Sequence, residues 1–177
     1  GDGGGGGGGA EVADSPEFES GTTMAEIAEK GTVTIGTKFD QPGFGLLNPD
    51  GVPEGFDVEI AKIIAAKLGI AAEDITWTET VSANRESFIQ NGQVDIVVAT
   101  YTINDTRKQV VDFAGPYYIA GQDIMVKASD TSIKGVNDLA GKKTCSVRNS
   151  TPAANIKRLV PTADLTEFDQ YSDCVQA

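Results

Sequence analysis

The chain has 177 residues, 40% of them hydrophobic, with 14 Lys and Arg against 26 Asp and Glu for a formal net charge of −12. That length and apolar content allow a real core in one or two domains, and the acidic balance excludes nucleic acid or an anionic membrane surface as the partner, because both need a basic face. The absence of His removes imidazole triads, imidazole relays and His-containing zinc sites, and no cofactor or metal is expected.

Residues 1–22 begin with Gly-Asp, a run of seven glycines (Gly3 to Gly9) and an acidic stretch with no periodic apolar face, which predicts a flexible tether. Thr23-Met24-Ala25-Glu26 reads as a capping box opening a short helix that stops at Gly31. Residues 32–37 alternate like a strand, residues 38–45 form a loop broken by Pro42 and Gly43, and Asn48-Pro49-Asp50-Gly51 is a turn. Asp57 is placed as the cap of a helix whose stripe is Ile60, Ile63, Ile64 and Leu68, ending at Gly69. The unit repeats as a strand over 75–78, a polar loop, a helix over 85–91 and a strand over 95–99. Ile96-Val97-Val98-Ala99 is apolar on both faces, as a central parallel strand covered by helices would be.

That last strand turns abruptly polar. Asn104 is a good N-cap, which would put Arg107 in a first helical turn, where unpaired backbone N–H groups favour an anion such as a carboxylate. Further on come a strand over 123–127, a short helix near 136–140, a strand over 143–147, a helix with Thr151 as N-cap and Pro152 at its first position, a strand over 165–168, and a helix from 172 that reaches Ala177 with no stop signal. Strand and helix alternate throughout, which predicts an α/β fold with parallel sheets and ligands at the C-terminal ends of strands. Lys38, Arg85, Thr100, Thr102 and Arg107 fall at such ends, and Arg148 and Thr151 lie at a second helix start. The carboxylates at strand ends, Asp40 and Glu79, read as solvated loop charges. Cys145 and Cys174 are too far apart in sequence for a CxxC motif, leaving a disulfide or two inert buried thiols.

Five segments in order, Gly55-Phe56-Asp57-Val58-Glu59-Ile60-Ala61, Gly92-Gln93-Val94-Asp95, Thr102-Ile103-Asn104-Asp105-Thr106-Arg107-Lys108, Asp112-Phe113-Ala114-Gly115-Pro116-Tyr117-Tyr118 and Val147-Arg148-Asn149-Ser150-Thr151, carry a resemblance. From about Gly31 to Ala177 the chain resembles the extracytoplasmic solute-binding proteins that serve ABC transporters for polar amino acids. Residues 38–43 and 82–85 look most like the actinobacterial glutamate-binding lipoproteins. The resemblance implies a periplasmic-binding-protein type II-like fold of two lobes, here expected as 23–121 and a partial 122–177 with the return to the first lobe cut off, and a hinge near 119–122. It implies that Arg107 clamps the α-carboxylate of glutamate or aspartate with help from Thr102 and Thr151, that the carbonyl of Thr100 accepts from the α-ammonium, and that Arg85, with Lys38 nearby and Arg148 next in line, holds a side-chain carboxylate. Arg suits both tasks because its planar fork meets a carboxylate with two parallel charge-assisted bonds.

A monomeric receptor delivering its ligand to permease subunits is expected. With no signal peptide, membrane span or initiating Met, the numbering is expected to start after a processed segment, the lipid anchor sitting on a Cys before Gly1 and the glycines serving as spacer; an engineered linker is the alternative. Outside the cytoplasm, Cys145 and Cys174 are expected to pair. The rival readings are the ligand domain of an amino-acid-sensing receptor and a dehydratase-like enzyme on the same fold. An enzyme needs a general acid in the cleft, and no paired carboxylate stands out.

Overall fold

The computed structural model describes residues 10–177. Contacts group residues up to 79 with 92–100 into one compact unit, and residues 80–91 with 101–177 into another.

In the first unit, α1 (Thr23–Lys30) ends at Gly31 in the left-handed conformation, φ 72°, as the sequence predicts. Its cap is Thr22 rather than Thr23: the Thr22 hydroxyl accepts from the backbone N–H of Ala25 at 3.3 Å. Three parallel strands follow in the order β5-β1-β6. They are β1 (Val33–Thr37), β5 (Ile75–Glu79) and β6 (Ile96–Val97). The expected central strand is therefore corrected. β1 occupies the middle with Val33 and Ile35 fully buried, whereas Ile96 and Val97 are only half-buried and pair on one side, with β1.

The long helix α2 (Phe56–Lys67) lies over this sheet. Ala61 and Ala65 are fully buried beside Val33, Ile35 and Ile75, and small side chains there let helix and strands approach closely. Gly55, not Asp57, is the N-cap. The physical reason is that Asp57 sits inside the first turn, 1% exposed, and its carboxylate accepts from the backbone N–H of Thr100 at 2.6 Å. Between β1 and α2, where the sequence predicts only a loop and a turn, β2 (Asp40–Gln41), β3 (Gly45–Leu47) and β4 (Pro53–Glu54) form a small antiparallel sheet. Strands of two or three residues carry no readable alternation.

The stretch expected to be a tether is packed where it is described. The Ala13 N–H donates to the Ala66 carbonyl at 2.8 Å, and Phe18 lies against the buried core. One aromatic ring can anchor a polar segment without any periodicity. Residues 1–9, which include the glycine run, lie outside the described residues.

The second unit holds α3 (Arg85–Gln90) and a β-α-β element made of β7 (Lys143–Val147), α4 (Thr151–Leu159) and β8 (Asp164–Phe168), followed by α5 (Tyr171–Gln176). β7 and β8 are parallel, from Lys143 against Asp164 to Val147 against Phe168. Ala153 and Ile156 are the buried face of α4. Cys145 on β7 and Cys174 on α5 form a disulfide, Cα to Cα 5.6 Å, so the expected pairing holds. The cap of α4 is Ser150, one residue before the expected Thr151: its hydroxyl accepts from the Ala153 N–H at 3.2 Å, and Pro152 occupies the second helical position. Ser150→Ala is expected to lower stability by about 1 kcal/mol, measured as a shift in urea midpoint; an unchanged midpoint would mean that another group satisfies that N–H.

The short helix expected near 136–140 is present as a 3₁₀ helix, Val136–Leu139. One further expectation fails in this unit. Residues 123–127 form no strand: among the described residues nothing pairs with them, and Met125 is 78% exposed. Apolar alternation favours a strand only where a partner completes the hydrogen-bond ladder.

Candidate functional site

In the first unit the expected ligand contacts lie just past the C-terminal ends of the parallel strands. Lys38 follows β1 and is 2% exposed. Thr100 follows β6 with φ 45°, a region a β-branched residue enters only when its surroundings hold it there. The holding groups are Asp57, on the Thr100 N–H, and Gln41, whose side-chain oxygen accepts from the Thr100 hydroxyl at 2.9 Å. This orients the strand end, and Asp57 is part of the arrangement although the sequence suggests only a helix cap.

The second unit brings Arg85, Thr102, Arg107 and Thr151 together around a residue the sequence analysis does not assign, Tyr101. The guanidinium carbon of Arg85 is 4.2 Å from the centre of the Tyr101 ring and that of Arg107 is 4.9 Å from it. Both arginines are buried, at 2% and 7% exposure. An electron-rich ring face offsets part of what it costs to bury a cation. Burial, and then repulsion from Arg107, push the Arg85 pKa down to about 10, so it remains a cation at neutral pH. The Tyr101 phenol is pushed well above its ordinary value, by burial first and then by the neighbouring Glu86 carboxylate, so it stays protonated.

Arg107 is tightly engaged. It donates to the Thr102 carbonyl at 2.8 Å, the Asn149 carbonyl at 3.0 Å, the Thr151 hydroxyl at 3.4 Å and the Glu86 carboxylate at 3.2 Å. The Asn104 side chain accepts from the Arg107 N–H at 2.9 Å, as an N-cap would. The expected helix does not follow: Arg107–Gln109 is a single 3₁₀ turn, because Val110 and Val111 are β-branched and do not favour continuing it. The pull on an anion therefore rests on the guanidiniums and not on a helix dipole.

Arg148 is not part of this group. It forms an ion pair with Asp169 and is half-exposed. Glu86 and Asn149 are site neighbours that sequence reasoning missed. Glu86 has the one usable signal, an acid directly beside Arg85 in the first turn of α3. Asn149 announces itself only in three dimensions, at φ 58° in the β7–α4 turn.

Residues 33–171 match the bacterial extracellular solute-binding proteins, family 3. The chain belongs to that family. As a family 3 chain it is 44% identical over 166 residues to the glutamate-binding protein GluB of Corynebacterium efficiens, covering 91% of this chain and 56% of that protein. It is 38% identical to the glutamine-binding protein of Geobacillus stearothermophilus, covering 93% of this chain and 64% of that one. Among solved structures it superimposes with a TM-score of 0.82 and 32% identity on the ancestral amino acid-binding protein AncCDT-1, a precursor of cyclohexadienyl dehydratase, over 88% of this chain and 68% of that one. This family 3 chain thus spans between half and two thirds of the length of these curated relatives. The likeness extends to the type II amino-acid-binding fold, as the sequence resemblance implies.

Proposed function

We propose that the protein is an extracytoplasmic receptor for an acidic amino acid, glutamate or aspartate, which it delivers to the permease subunits of an ABC transporter. The observation that carries this is the pair of buried guanidiniums, Arg85 and Arg107, on one tyrosine ring in a protein of net charge −12. A monocarboxylate needs one such partner. An acidic amino acid carries two carboxylates and gives each its own fork.

In this reading Arg107 takes the α-carboxylate, Thr102 and Thr151 flank it, Arg85 takes the side-chain carboxylate with Lys38, and the Thr100 carbonyl accepts from the ammonium. Arg148 stays a reserve partner. Binding exchanges some of the contacts that now satisfy Arg107 for ligand oxygens, so affinity reflects a difference between two sets of hydrogen bonds. Relatives include both a glutamate-binding and a glutamine-binding protein, and the second cation supports the acid, because an amide would set N–H donors against a donor-only group. The lobes 23–121 and 122–177, a hinge between them, a monomeric state and a lipid anchor on a Cys before Gly1 belong to the same proposal. No catalytic group is assigned.

Calorimetric titration of the complete protein with glutamate, aspartate, glutamine and asparagine tests it. An acid is expected to bind at least tenfold more tightly than its amide. Equal binding of acid and amide would refute acidic specificity, and no binding of any of the four would refute the receptor reading.

A further inference from the structure

The cluster around Tyr101 contains a carboxylate that the proposed contacts leave unused. Glu86 accepts from the Arg107 Nε at 3.2 Å, with side-chain exposures of 8% for the arginine and 18% for the acid. Its second oxygen accepts from the Asn149 side-chain nitrogen at 3.4 Å. The Asn149 amide also reaches the Ser82 carbonyl at 3.4 Å, and its own carbonyl accepts from Arg107. Glu86 is therefore held on one side of the guanidinium of Arg107 by groups from two loops.

Its position suits one purpose better than simple support. Arg85 and Arg107 are two buried positive charges on one ring, and Glu86, 3.2 Å from the Arg107 Nε, supplies one negative charge beside them. These three groups together carry one net positive charge, to which Lys38 of the proposed site adds. A zwitterionic acidic amino acid carries one net negative charge. Glutarate, of the same length but without the ammonium, carries two, and glutamine none.

We infer that Glu86 is a specificity-determining residue: as the internal counter-ion of the Arg85–Tyr101–Arg107 cluster it limits how strongly each negative charge on the ligand is rewarded. The inference rests on the acidic amino-acid reading above. Its content is a ratio. A group that only positions Arg107 would, when removed, weaken every carboxylate ligand alike. A group that sets charge changes how strongly each further negative charge on the ligand is rewarded, by about tenfold for a unit charge several ångströms away in a partly buried site.

The test compares the complete protein with its Glu86→Gln and Glu86→Asp variants, titrating glutamine, glutamate and glutarate into each by calorimetry. Gln keeps the size and an acceptor for Arg107 but removes the charge. The expected result is that Glu86→Gln raises the glutamate-to-glutamine and glutarate-to-glutamate affinity ratios by about tenfold each, while Glu86→Asp leaves both within about twofold of the unmodified protein. Unchanged ratios in Glu86→Gln, whether or not the absolute affinities fall, would overturn the role of Glu86 and leave the receptor reading standing. Loss of all binding in Glu86→Gln with Glu86→Asp intact would also overturn it, in favour of an orienting role. If the unmodified protein binds none of the three ligands, the receptor reading fails and this inference fails with it.

Discussion

Replacing Arg85 by Met in the complete protein is expected to weaken glutamate binding by about 2–5 kcal/mol, the usual consequence of removing one partner from a desolvated charge pair. The preference over glutamine should narrow or reverse, since only the acid uses the second cation. The ligand-free fold should respond the other way. Burial and Arg107 push the Arg85 pKa down to about 10 from the ordinary arginine value, so the fold disfavours the charged form. At every pH below about 10 this weakens the native state, and the penalty fades as the pH rises from about 10 towards the ordinary arginine value, where the unfolded chain binds the extra proton. Arg85→Met removes that penalty, and thermal unfolding of the unliganded variant should occur at the same temperature or higher. Weaker glutamate binding together with a lower unfolding temperature would mean that Arg85 supports structure. Unchanged affinity and an unchanged glutamate-to-glutamine ratio would make Arg85 irrelevant to the ligand, and Arg148 the next residue to test.

The disulfide should carry a comparable effect on stability. Cys145 and Cys174 are 29 residues apart in sequence, and closing a loop of that size restricts the unfolded chain by roughly 3.5 kcal/mol in the chain-entropy account. It ties β7 to α5, a helix of six residues with no buried side chain of its own, which is too short to persist without a tether. The double Cys→Ser variant is expected to unfold at markedly lower denaturant, with amide exchange in residues 171–176 accelerating most. Intact mass without reductant should be lower by two hydrogens than after reduction. Two free thiols in material secreted by its host would refute the bridge, and an unchanged denaturation midpoint in the variant would refute its contribution.

What could be read from the residues alone was whatever repeats along a helix or strand, or ends one. The left-handed stop at Gly31, the strand over 143–147 and the start of α3 at Arg85 all follow from local sterics and periodicity, which act over a few residues. The stripe of Ile60, Ile63, Ile64 and Leu68 holds only in part: Ile60 and Ile64 pack half-buried against the core, Ile63 is 46% exposed, and Ala61 and Ala65 take the fully buried face. The α/β class was legible from the alternation of strand and helix. Caps slipped by a residue, Thr22 for Thr23 and Ser150 for Thr151, because adjacent hydroxyls compete for one N–H and packing selects the winner. Strand order was not local: β1 and not β6 took the centre because Val33 and Ile35 find neighbours on both sides. Phe18 joined the core, and residues 123–127 stayed irregular, according to what the rest of the chain offered them. The site divides in the same way. Arg107 and Arg85 could be singled out as cations, but their meeting on Tyr101, the carboxylate of Glu86 on Arg107 and the backbone carbonyl of Asn149 on Arg107 join residues up to 42 positions apart, and only tertiary contact brings such groups together.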